Sequence, residues 1–175
     1  ALIMGGGIIR EHEREKLKLS PLIQTVVFLI KIFRQGWKRE DLINFLKSSY
    51  VKRLGGAGIK RYEDASELEN RAYGAGVTQT REAWLAPWGD QTDEVFHAKK
   101  NAWLQSLAEL EDALRQSKNF LKMQKDLLAA LQQTFGIFET NHWDLESSRR
   151  DAASWKRLEA LFREVNRQME NDGYP

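Results

Sequence analysis

The residues able to do chemistry in this chain are few and badly spaced for it. Its three histidines, His12, His97 and His142, lie far apart, no His-x-x-x-His pair occurs, and cysteine is absent. A cysteine-ligated zinc, an iron–sulfur cluster and a thiolate nucleophile are thereby excluded. Glu11-His12-Glu13 and Asp93-Glu94 with His97 are the two places where a weak metal ligand set can be written. At this charge density, solvated helix or loop charges are the plainer meaning. No Gly-Lys dipeptide occurs, which removes a phosphate loop with its lysine, and Gly5-Gly6-Gly7 precedes no lysine. A metal-dependent nuclease centre that sets a lysine two residues after a carboxylate is also missing, because neither Glu-x-Lys nor Asp-x-Lys occurs. No Gly-x-Ser-x-Gly elbow motivates a serine hydrolase. The sequence predicts no catalytic residue, no metal and no cofactor.

Charge offers more. The 175 residues carry 27 Lys/Arg and 25 Asp/Glu, but residues 1–62 hold 13 and 5 of these, a local charge of +8, and residues 63–175 hold the balance at −6. A basic half can face nucleic acid, or it can meet an acidic protein surface. The cations Arg34, Lys38, Arg39, Lys47, Lys52, Arg53, Lys60 and Arg61 surround Gly55-Gly56-Ala57-Gly58, where backbone can approach a phosphate chain. They are the candidate nucleic-acid contacts, set against the alternative of a solvated face. Of six tryptophans, Trp103 and Trp155 fall inside apolar stripes and read as core. Trp37, Trp84, Trp88 and Trp143 fall at element boundaries, where they lid a core or meet a partner.

The elements that must position these groups are helical. Ser20-Pro21 reads as an N-cap and a proline at the first helical position, followed by Leu22, Val26, Leu29, Ile30 and Phe33 at helical spacing and a stop at Gly36. Val27, Phe28 and Ile32 extend the apolar surface round most of this helix. A second helix is expected from about Lys38, with Leu42, Ile43, Phe45, Leu46 and Tyr50 inward. Residues 53–66 read as irregular. Ser66-Glu67-Leu68-Glu69 matches a capping box opening a short helix that ends at Gly74 and Gly76. From about Thr92, Phe96, Trp103, Leu107, Leu110 and Leu114 form an inward stripe. Ser117 is a candidate cap for a next helix carrying Phe120, Met123, Leu127, Leu131 and Phe135 up to Gly136, although 92–135 also reads as one continuous helix. A last helix holds Trp155, Leu158, Leu161, Phe162, Val165 and Met169. The expected class is all-α, about five to seven helices, with room for a short strand in the N-terminal residues. Residues 1–18 read as a strand or linker cut from a preceding domain, 19–170 as the helical domain in two packed parts (19–90 and 91–170), and 171–175 as a tail. Apolar runs such as Val26–Ile30 fall far short of the roughly 18 residues a membrane span needs, and Leu2-Ile3-Met4 is too short for a secretory signal. Together with the lack of cysteine, this points to a cytoplasmic setting and no membrane partner.

Three segments resemble a known family. Leu19-Ser20-Pro21-Leu22 through Leu29, then Trp37-Lys38-Arg39-Glu40-Asp41-Leu42 and Leu46-Lys47-Ser48-Ser49-Tyr50, look like a pattern of superfamily 1 helicase-like proteins. Leu68-Glu69-Asn70-Arg71-Ala72 with Gly76-Val77 and Trp84 is similar to the stretch that follows in the B-type subunits of ATP-dependent helicase/nucleases, each an inactivated helicase half joined to a PD-(D/E)XK nuclease. Phe120–Phe135, Thr140 and the Trp155–Met169 helix resemble the continuation. The resemblance, over roughly residues 19–170, implies an inserted helical 2B-like subdomain within a protein of bacterial double-strand-break repair. The family's nucleotide loop would lie upstream and its nuclease downstream, so no catalytic residue is carried over. What it implies is a non-catalytic part in guiding DNA, with the parent's other domains or a partner helicase subunit as neighbours. A helical protein–protein interaction module without nucleic-acid contact is the alternative.

Overall fold

A computed structural model of the chain describes residues 20–60, 62–89, 93–137 and 145–172. The expected N-terminal strand, Arg61, Thr140 and Trp143 lie outside the described residues. Among the described residues, seven α-helices and one two-stranded hairpin follow in order: α1 Pro21–Arg34, α2 Arg39–Leu46, β1 Arg53–Leu54, β2 Ala57–Gly58, α3 Glu63–Gly74, α4 Arg81–Leu85, α5 Glu94–Arg115, α6 Phe120–Ala129 and α7 Leu145–Asn171. The all-α class therefore holds. α1 packs on α2 and on α7, α2 on α3, and α5 on α4, α6 and the hairpin, with α6 also against α7. One buried cluster runs through these contacts, from Leu22 and Leu29 through Trp103 and Leu107 to Leu131 and Leu158.

α1 begins where Pro21 predicts, but Ser20 does not cap it with its side chain: the hydroxyl is buried and has no hydrogen-bond partner among the described residues. Its inward face is Leu22, Ile23, Val26, Leu29 and Ile32, so Ile30 (41% exposed) and Phe33 (half-buried), both expected in the inward stripe, stand outside the buried face. A helix apolar on most of its circumference gives no unambiguous phase, and the packing of α2 and α7 selects one. In the polar, amphipathic α7 Trp155 and Leu158 are buried, but Leu161, expected on the same inward stripe, is 50% exposed.

Three boundaries also differ. Ser66 lies inside α3, which starts at Glu63 with no side chain capping it; the Asp64 carboxylate instead accepts from the N–H of Lys60, ahead of the helix, at 2.7 Å. The 92–135 stretch is broken, and Asn119 rather than Ser117 caps α6, accepting from the Lys122 N–H at 2.8 Å. α6 runs into a π-helical turn, Ala130–Thr134, before Gly136 at φ 64° ends it. Residues 53–58, read as irregular, form the hairpin, with Arg53 opposite Gly58 and Leu54 opposite Ala57. Its turn needs φ of 56° and 76° at Gly55 and Gly56, the left-handed pair favoured in two-residue hairpins. A Cβ on Gly55 would stand 2.2 Å from the Ala102 carbonyl oxygen, so the hairpin lies directly on the α5 backbone.

Candidate nucleic-acid interface

The candidate cations divide among three places. Lys38, Arg39 and Lys47 meet around one polar cleft of about 410 Å³, together with Glu40, Asn44, Glu69, Thr78 and Gln79. Lys52, Arg53 and Lys60 belong to the hairpin and its flanks. Arg34 ends α1 on the rim of a separate apolar groove.

The cleft is built by α2 and the loop after α3. Gly36 and Trp37 both take positive φ, 76° and 57°, which turns the chain sharply from α1 into α2. A bulky side chain is costly in that region, and here it is held from several sides. The Trp37 indole N–H donates to Glu111 at 2.8 Å, and its carbonyl accepts from the Trp84 indole at 2.7 Å. Residues 77–80 are laced across the turn: the Arg39 N–H donates to the Thr78 carbonyl and the Thr80 N–H to the Gly36 carbonyl, each at 2.8 Å. Lys38 and Arg39 thereby stand at the start of α2, with Thr78 and Gln79 facing them across the cleft. The Arg39 guanidinium donates to the Val77 carbonyl at 3.4 Å and lies 5.3 Å from the centre of the Tyr73 ring. Lys47, one turn beyond Ile43, donates to Glu69 at 2.6 Å. The Lys38 side chain is exposed and makes no hydrogen bond or ion pair among the described residues. Asn44, Thr78 and Gln79 were not singled out in the sequence, because the loop-to-helix pairing that brings them to the cleft joins residues almost 40 positions apart and leaves no local signal.

The hairpin cations are less concentrated. Arg53 donates to the Gln133 carbonyl at 2.9 Å, tying the hairpin to the π turn, and Lys60 stands 3.6 Å from Glu63 on an exposed flank. The boundary tryptophans Trp37, Trp84 and Trp88 are buried, and Trp103 and Trp155 with them.

Other ionisable groups serve the fold. Lys100 is buried, donates to the Ala86 carbonyl at 2.7 Å and sits 4.4 Å from the centre of the Trp88 ring; desolvation pushes its ammonium below the usual lysine range. The Tyr50 hydroxyl donates to Asp151 at 2.9 Å, and burial together with that carboxylate pushes the phenol well above its ordinary value. Asp93 caps α5 by accepting from the Phe96 N–H and pairs with Arg71, which together hold its carboxyl below the usual range. Among the described residues no group of three or more His, Cys, Asp or Glu is placed to hold a metal, and no helix is long and apolar enough to cross a membrane. In comparisons with protein-family models, curated proteins and solved structures, nothing matches this chain.

Proposed function

We propose that this chain is a non-catalytic helical domain of a helicase/nuclease-type DNA-repair protein, packing beside that protein's other domains and holding DNA by its phosphates. The observation that carries the phosphate contact is the meeting of Lys38, Arg39 and Lys47 around one polar cleft. Two of these cations stand at the amino end of α2, where the helix dipole is itself positive. A phosphate entering the cleft relieves that unfavourable pairing and accepts from Lys38. Lys47 is shared with Glu69, so its contribution requires an exchange of partners. Binding of this kind positions a nucleic-acid backbone and does not read bases.

The test is fluorescence anisotropy with labelled duplex and single-stranded oligonucleotides at two salt concentrations. Contacts to about three phosphates give a non-specific Kd of roughly 10⁻⁴–10⁻⁶ M, with log affinity for duplex falling against log salt at a slope near −2.7. Lys38→Glu with Arg39→Gln should abolish most of the binding. Lys52→Glu with Lys60→Glu, the same number of sites moved to the hairpin, should cost less. No binding by the parent chain at low salt, or equal losses from both pairs, overturns the proposal. ATPase or metal-dependent nuclease turnover that follows the protein through two orthogonal columns would contradict the non-catalytic part.

A further inference from the structure

α1, α5, α6 and α7 leave an apolar groove of about 460 Å³ between them, away from the polar cleft. Ile30 and Phe33 come from α1, Leu114 from α5, Met123 and Leu127 from α6, and Phe162 from α7. The apolar wall is open to solvent: Ile30, which lines it, is 41% exposed, and Phe33, Met123 and Phe162 are only partly buried. A helix laid along the groove would cover these side chains.

Charge on the rim is of one sign. The Arg34 side chain is exposed and has no hydrogen bond or ion pair among the described residues. Arg115, whose side chain is 65% exposed, also stands on the rim and is held by Glu111 at 2.7 Å. Glu111, the carboxylate in the lining, is spent on Trp37 and Arg115. Gln124 in the floor is buried and already bonded to Asn166 at 2.6 Å. The groove thus offers an apolar floor and one uncommitted cation at its edge.

We propose that this groove docks an amphipathic helix of a partner protein or domain, its apolar face on Phe33, Met123 and Phe162 and an acidic side chain on Arg34. The inference stands independently of phosphate binding, since its residues lie outside the cleft.

The probes are two fluorescein-labelled helical peptides, identical in a leucine face at i, i+3, i+4 and i+7, one flanked by glutamates and the other by lysines. They are titrated into the 175-residue chain in anisotropy. The acidic peptide should bind and the basic one bind more weakly. Arg34→Glu, at an exposed position that leaves the fold intact, should weaken the acidic peptide about two- to fivefold and improve the basic one. Met123→Glu places a charge in the apolar floor and should weaken both about tenfold or more. Circular-dichroism melts check that both variants fold. Binding of neither peptide overturns the proposal. An Arg34→Glu variant that leaves the peptide preference unchanged also overturns it. Saturable binding of dodecanoate without either peptide overturns it in favour of an acyl ligand.

Discussion

Removing the Glu111 carboxylate should release the turn that carries the cleft. Glu111 is 4% exposed and Trp37 1%, and the indole N–H is 2.8 Å from Oε2. Its other oxygen accepts from Arg115 at 2.7 and 3.1 Å, and Arg81 stands 3.6 Å away. In Glu111→Ala the buried indole donor loses its acceptor, which costs about 1–3 kcal/mol. Arg115 stays solvated, so losing that pair adds at most about 1 kcal/mol. The sum, about 1–4 kcal/mol, corresponds to a fall in Tm of roughly 2–16 °C for a chain of this size. Glu111→Gln keeps an acceptor for the indole and should cost about 1 kcal/mol. Trp37→Phe removes the donor, and the double variant with Glu111→Ala should show a coupling energy on the order of 1–2 kcal/mol. Calorimetry with urea titrations gives all four corners of the cycle. A Glu111→Ala protein melting within about 1 °C of the parent, or a coupling below about 0.3 kcal/mol, would refute the claim that this bond holds the Gly36–Trp37 turn.

Leu29→Ala, at a fully buried position, should destabilise by about 2–5 kcal/mol, whereas Leu161→Ala on an exposed position should stay within about 0.5 kcal/mol; urea midpoints that rank the other way would invalidate the assigned helix faces. Gly55→Ala must force apart a 2.2 Å approach to the Ala102 carbonyl at φ 56°, while Gly56→Ala meets open space and carries only the left-handed penalty of about 1–2 kcal/mol. A melt in which Gly56→Ala is the worse of the two would show that the hairpin does not rest on α5. The Arg81 guanidinium lowers the Asp112 carboxyl, the Phe96 N–H followed by Arg71 lowers Asp93, and Lys122 lowers Asp126. Carboxyls depressed in the folded state add stability that is present above their unfolded pKa of about 4 and lost as pH falls through the folded values. Urea midpoints should therefore drop below about pH 4, and Asp112→Asn should flatten that limb; a midpoint constant from about pH 5 to about pH 2.5 would contradict it.

Sequence carried the helices better than their faces. Pro21 and Gly36 bound α1 because a missing N–H and a left-handed residue act locally, without help from the rest of the chain. Ile30 is exposed because which side of the apolar α1 is buried depends on α7, more than a hundred residues away, and Leu161 is exposed although it shares a polar helix with the buried Trp155 and Leu158. The hairpin escaped notice because two residues per strand are too few for an alternation, although the Gly-Gly pair at its turn was a usable signal. For the candidate interface, the cations were legible as a set. Their division was not: Lys38, Arg39 and Lys47 come together only because residues 77–80 fold back over the turn, and Arg34 ends on another face. The apolar groove was hidden for the same reason, since Phe33, Phe120, Met123 and Phe162 each read as ordinary core.

The contact of α1 with α7 also sets the order in which the chain can be completed as it leaves a ribosome. α1, the most apolar helix, emerges well before α7, and the Tyr50 hydroxyl that follows it waits for Asp151. At about 5–20 residues per second, on the order of ten seconds separate the synthesis of α1 from that of the helix that seals it. During that interval Leu22, Val26 and Leu29 have α2 to shelter them but not α7, so that side of α1 stays open to solvent in the nascent chain. Slow codons placed before α7 would lengthen the exposure, while a truncation before Leu145 would make it permanent.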